Sequence, residues 1–297
     1  MKPFAFSVLM LSITAQASDF IAPNQAFPIG QTIVTQFVSA PFPHSSRTNG
    51  HKYKEELFPA DKNYSDSSVS IFIPKGFDAG SNVDCVLHFH GWRNTTMGTM
   101  EQFALREQLM ESRRNVILIV PQGPHNAPDS SGGKLEDPDG FKRFMDEAML
   151  ALKQRGTIKA GSRIGQIILS GHSGGYQVMS SIVERGGLND QIREVWLFDG
   201  LYARGEKFLA WSQISDGRLV NIYTDNGGTK ARSEEMISQL TQRGSNILVT
   251  TDAAVSVADL ATNRFVFLHT DMSHNEVLAK RRTFQTFLET SCLKTKP

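Results

Sequence analysis

Gly171-His172-Ser173-Gly174-Gly175 is the segment of this chain best suited to covalent chemistry. It lies between the apolar run Ile167-Ile168-Leu169-Ser170 and a stretch with Val178, Met179, Ile182 and Val183 at helical spacing. A strand that turns abruptly into a helix raises one side chain at its carboxyl end, and the crowding there requires glycine on either side. A serine hydroxyl so placed sits over a helix N-terminus, where developing negative charge is favoured. Alone it is a weak nucleophile and needs a base within hydrogen-bond reach. His274 is the candidate base, because it lies in a loop after an apolar strand, near the carboxyl edge of any sheet built this way. His269, at the end of that strand, reads as structural. A carboxylate must then hold the imidazole tautomer. Two aspartates end predicted strands downstream of Ser173. Asp199 follows a strongly apolar run, whereas Asp225 opens the loose turn Asn226-Gly227-Gly228. The sequence does not choose between them.

A second chemical segment is His88-Phe89-His90-Gly91-Trp92. A tetrahedral oxyanion needs at least two preorganised N–H donors. Gly174, next after the serine, offers one, and the loop through Gly91 and Trp92 offers the other. His88 and His90 could instead share one face of a strand and bind zinc. The following residues, Gly91-Trp92-Arg93-Asn94, do not extend such a pair with further ligands. The reading adopted carries no metal and no organic cofactor.

These residues need a scaffold that brings strand ends together. Apolar or alternating runs predict strands at 69–73, 83–89, 115–120, 167–170, 195–198, 219–224, 247–250 and 264–268. Helical spacing predicts helices at 99–113, 141–152, 174–185, 207–214, 233–243 and 275–288. Strands alternating with helices, and strands apolar throughout, predict an α/β fold with a mostly parallel central sheet and helices on both faces. Residues 18–65, rich in Pro, Ser and Asn, read as an N-terminal extension with edge strands, and 66–297 as the main domain. The long loop 123–140, with segments near Tyr176, Tyr202 and Trp211, is expected to shape a substrate mouth.

The chain has 297 residues, 40% of them hydrophobic, and a formal net charge of +1. That balance gives no reason to expect nucleic acid as a partner. The basic run Lys280-Arg281-Arg282 reads as a solvated helix face. Lys2, the apolar stretch 4–14 and Ala15-Gln16-Ala17 match a signal peptide over residues 1–17. The expected location is therefore the periplasm or the medium. No segment reads as a membrane span. Oligomeric state is not legible.

With elbow, histidine and strand order in place, the chain resembles the α/β-hydrolase superfamily over roughly residues 66–290. The order Ser173, Asp, His274 is the order that family uses. Through His90-Gly91, Val120-Pro121-Gln122-Gly123 and the Gly-His-Ser-Gly-Gly elbow it is similar to secreted esterases and polyhydroxybutyrate-depolymerase-like enzymes. The resemblance implies a serine hydrolase acting on an ester-containing small molecule or polymer through an acyl-enzyme. It also implies Asp225 as the usual site of the acid, with Asp199 at a position some lipases use. A peptidase or amidase on the same fold, a non-catalytic glycan- or envelope-binding protein and a metal-dependent hydrolase are the other readings. In this fold the last helix runs back toward the strand starts. A Cys85–Cys292 disulfide and two separate thiols are then both open.

Overall fold

The computed structural model describes residues 29–296. Its strands are β1 (Gly30–Gln36), β2 (His51–Tyr53), β3 (Glu56–Phe58), β4 (Ser68–Pro74), β5 (Asn82–Phe89) and β6 (Ile117–Pro121). β7 (Arg163–His172), β8 (Ile192–Phe198), β9 (Arg218–Thr224), β10 (Ile247–Thr251) and β11 (Phe265–Thr270) follow. Nine of them form one sheet in the order β1-β4-β6-β5-β7-β8-β9-β11-β10, while β2 and β3 pair separately. β1 and β4 are antiparallel, as are β4 and β6, and every other pairing in the large sheet is parallel.

Side chains alternate across a strand, so a sheet covered on both faces must be apolar at successive positions. Ile117, Ile119, Ile167, Leu169, Val195 and Leu197 point to one core. Leu118, Val120, Ile168, Trp196 and Phe198 point to the other. The helices Gly140–Gln154, Tyr176–Arg185, Gly205–Ile214 and Lys230–Gln242 cover the first face. The second is covered by Thr96–Gln102, Leu105–Glu111, Val257–Thr262 and Thr283–Glu289. Each large apolar side chain fully buried this way contributes about 1.5–3 kcal/mol. Because β5 to β11 run parallel, their carboxyl ends gather along one edge, and the loops after them meet there.

Several expectations are corrected. The helix expected at 99–113 is two helices, broken at Ala104, whose φ of 48° is left-handed. The break lets the adjacent Phe103 and Leu105 both be buried. The closing helix is only Thr283–Glu289, because Arg282 is left-handed and the residues before it form turns. The basic run is therefore not a helix face. Lys280 pairs with Glu276, Arg281 with Asp252 and Asp271, and Arg282 with Glu111. Trp211 lies in the core rather than at a substrate mouth. Cys85, buried, and Cys292, exposed, are both free thiols, not a disulfide. Residues 30–36 of the N-terminal extension supply the edge strand, while the leader expected at 1–17 lies outside the described residues. Among the described residues, no helix is long and apolar enough to cross a membrane.

Candidate active site

β7 ends at His172, and Ser173–Gly175 forms a single tight turn before the helix Tyr176–Arg185. Ser173 has a φ of 52°, a left-handed conformation that a side chain adopts only at a cost and that surrounding structure must enforce. The enforcement is close packing. A Cβ on Gly175 would lie 2.5 Å from the carbonyl oxygen of Phe89, and one on Gly171 would lie 2.3 Å from Met179 Sδ. A Cβ at either place would have to displace a neighbour, so the chain turns sharply and lifts Ser173.

The loop after β5 lies against the serine. A Cβ on Gly91 would fall 2.8 Å from Ser173 Cβ. His90 holds this loop from below. Its Nε2 accepts the Gly123 N–H at 3.0 Å, so the proton is on Nδ1, which donates to the Gly91 carbonyl at 2.8 Å. Burial pushes its pKa down, which keeps that tautomer neutral. Next along the loop, Trp92 Nε1 donates to Ser130 Oγ at 2.8 Å. Trp92, Ser130, Ser173, Gly174, Tyr176 and Tyr202 line a cleft of about 240 Å³. The hydroxyl of Tyr202 contacts Ser173, and its ring meets that of His274 edge-on at 6.4 Å. Loop 123–140 thus contributes Ser130 to this cleft, beside Tyr176 and Tyr202. Tyr53, on β2, packs edge-on against the outer side of Trp92.

His274 arrives from the loop after β11. Its Nδ1–H donates to Asp199 Oδ2 at 2.6 Å, which leaves Nε2 with a lone pair. The Asp199 carboxylate is fully buried and receives three more hydrogen bonds. They come from the Thr224 N–H at 3.1 Å, from Thr224 Oγ1 at 2.9 Å and from Thr229 Oγ1. Burial alone would push its pKa up. The hydrogen bonds from His274, Thr229 and Thr224 outweigh that and hold it below the ordinary carboxylate value. Asp199 itself has a φ of 44°, a second left-handed residue at the same edge of the sheet.

Asp225 does not reach His274. It is exposed, accepts from Lys230 Nζ at 2.7 Å and pairs with His269 Nε2 at 3.0 Å. The cause is local. Thr224 turns inward to Asp199, and the next residue leaves β9 on the other side. His88 and His90 do not form a ligand pair either. His88 is buried and bonds Ser170 Oγ through Nδ1 at 2.9 Å, while His90 braces the loop. Among the described residues, no three His, Cys, Asp or Glu side chains converge as metal ligands would. The sequence reading did not find Thr224, Thr229 or Ser130. They are small hydroxyls at a strand end, before a helix and in a loop, without a pattern. His172 lies inside the most conspicuous motif, yet the motif itself assigns it no role. Its Nε2 lies 2.9 Å from the carbonyl oxygen of His274.

No protein-family profile matches the chain, and no curated protein matches it in sequence. Solved structures do match it. A feruloyl esterase module from Clostridium thermocellum, a serine-to-alanine mutant complexed with sinapinate, is similar at TM-score 0.53 and 11% identity, over 88% of each chain. A substrate-bound, fluorophosphonate-binding serine hydrolase from Staphylococcus aureus is similar at TM-score 0.53 and 9% identity, over 89% of this chain and 99% of that one. A ferulic acid esterase gives TM-score 0.50 and 12% identity, over 74% of this chain and 92% of that one. At these identities the likeness is one of architecture, and with the sheet order and elbow described above it establishes that this chain has the α/β-hydrolase fold.

Proposed function

We propose that the protein is a serine hydrolase of carboxylic esters, with Ser173 as nucleophile, His274 as general base and Asp199 as the acid that orients it. One observation carries the reading. A buried carboxylate hydrogen-bonded at 2.6 Å to Nδ1 of His274 leaves the other ring nitrogen free to take a proton, at the sheet edge where the elbow presents Ser173. Ser173 Oγ attacks the carbonyl carbon while His274 accepts the hydroxyl proton. The backbone N–H groups of Gly174 and of the Gly91–Trp92 loop hold the oxyanion. The tetrahedral species then breaks its bond to the alcohol oxygen, which leaves with the proton from His274. Water, activated by the same imidazole, releases the acid. Each oxyanion donor is worth ~3 kcal/mol in such chemistry.

Esters come before amides because an alkoxide needs less help to leave than an amine. Among esters, those of aromatic acids come first, on two grounds. Trp92, Tyr176 and Tyr202 line the cleft, and two structural neighbours are named as feruloyl or ferulic acid esterases. Export is part of the proposal and rests on the pattern of residues 1–17.

The test is labelling with a fluorophosphonate followed by peptide mapping, beside hydrolysis of p-nitrophenyl acetate. Label on Ser173 and loss of turnover in Ser173→Ala are expected. Turnover that survives the substitution, or label elsewhere, would refute the assignment.

A further inference from the structure

We infer that His172, the residue before the elbow serine, is a positioning residue that fixes the His274 loop by donating Nε2–H to the His274 backbone carbonyl. The inference rests on the reading of Ser173 and His274 as nucleophile and base, and adds a role that reading does not need.

A carbonyl oxygen can only accept, so the 2.9 Å contact puts the proton of His172 on Nε2. The ring is 4% exposed. It lies between two aromatic neighbours. Phe103 meets it edge-on at 4.9 Å, and the His274 imidazole lies 4.5 Å away, tilted by 31°. The donor therefore has one orientation and one target. Because His172 and Ser173 are adjacent in the chain, this hydrogen bond ties the base loop directly to the turn that carries the nucleophile. The His274 side chain is already fixed at Nδ1 by Asp199. The contact from His172 fixes its backbone, so the imidazole is held at both ends.

A ring this close to the base must also stay uncharged. An imidazolium on His274 beside a second cation would be disfavoured, and proton transfer from Ser173 with it. The groups facing His172 are His274 and Asp199 on the base side, and His90 and His88 from the loop and end of β5. Burial, then His274, push the pKa of His172 down to about 4. It is neutral throughout the range in which a histidine base works.

The test compares His172→Leu, which removes the donor but keeps an apolar filler, with His172→Gln, which keeps an N–H near the same place. Misplacing a catalytic group by about 1 Å costs on the order of a hundredfold. The leucine variant should lose kcat to about that extent with KM little changed. Its rate of fluorophosphonate labelling at Ser173 should fall in parallel, and the acid limb of its kcat/KM profile should shift. The glutamine variant should recover most of the loss. Equal impairment of both variants would reduce His172 to packing, and an unimpaired leucine variant would remove the role altogether. Nitrogen-15 NMR of the wild-type protein at neutral pH stands apart from the folding of any variant. A neutral Nε2–H tautomer for His172 is required, and the other tautomer or a charged ring would overturn the inference. Wild-type protein that is not labelled at Ser173 would instead defeat the hydrolase reading, which keeps the two failures separate.

Discussion

Asp199 and Asp225 end neighbouring strands, and their carboxylates live in different worlds. The first is fully buried among hydrogen-bond donors, and the second is in water with Lys230 and His269. Under the proposed mechanism, Asp199→Asn should lower kcat by about four orders of magnitude, because an amide favours the wrong imidazole tautomer. Asp225→Asn should leave it within about twofold, since exposed pairs contribute little. Parallel assays of the two variants decide the point. The same contrast appears in stability. The folded-state pKa of Asp199 lies below its unfolded value, so its contribution is full above the ordinary aspartate value of about 4. It is lost as pH falls through the lowered folded-state value. Urea melts at pH 6 and pH 3 should differ less for Asp199→Asn than for wild type. A melt difference as large as that of the wild type would contradict the linkage. Both aspartates were visible in the sequence as strand-end carboxylates. What separates them is the pair of threonines that encloses one, Thr224 at the end of β9 and Thr229 before the next helix, and single hydroxyls carry no spacing that a reader could use.

Glycines decide the elbow at the scale of the strand–turn–helix element, and the two flanking ones are not equivalent. A methyl on Gly175 would meet the Phe89 carbonyl at 2.5 Å, a backbone atom of the adjacent strand that cannot yield without disturbing the sheet. A methyl on Gly171 would meet the end of the Met179 side chain, which can swing away. Gly175→Ala should therefore destabilise by about 1–3 kcal/mol and displace Ser173, while Gly171→Ala should cost less than half of that. Thermal melts read with labelling rates would test this, and equal costs would mean that the turn is not set by Phe89. Elements of this kind were the most legible part of the sequence. The buried strands and the helices at 141–152 and 233–243 stand close to where periodicity puts them, because a sheet covered on both faces leaves an unbroken apolar record. Periodicity failed where the backbone turns left-handed at Ala104 and Arg282. Neither residue type signals such a turn, and an apolar pattern continues across each break.

Among the contacts that tie the N-terminal extension to the loops around the cleft is an ion pair, beside the packing of Tyr53 on Trp92. Arg47 Nε and Nη2 donate to the two oxygens of Asp129 at 2.7 and 3.0 Å. Asp129 also accepts the Ser131 N–H, and Ser130 between them holds Trp92. Composition marks the extension only as rich in Pro, Ser and Asn, and this contact spans more than eighty residues, so no local pattern could reveal it. Burial would raise the pKa of Asp129, and the hydrogen bond and charge of Arg47 outweigh it and hold it down. Removing the arginine therefore leaves a carboxylate that is 7% exposed without its counter-charge. Full burial of both partners would make that loss about 3–5 kcal/mol. The Arg47 side chain keeps 21% of its surface exposed, so Arg47→Met should cost nearer 2 kcal/mol, as for a hydrogen bond to a charged group. Adding Asp129→Asn should then restore part of the loss, because the unpaired charge is gone. If the pair also sets the cleft, Arg47→Met should raise KM for aromatic-acid esters more than it lowers kcat, since the loop carrying Ser130 moves while the Ser173 elbow does not. Urea titrations of the single and double variants, with kinetics on one ester series, separate the two effects. A double variant weaker than Arg47→Met would show that the carboxylate is held by something other than the guanidinium. An unchanged KM would show that the extension braces the fold without shaping the site.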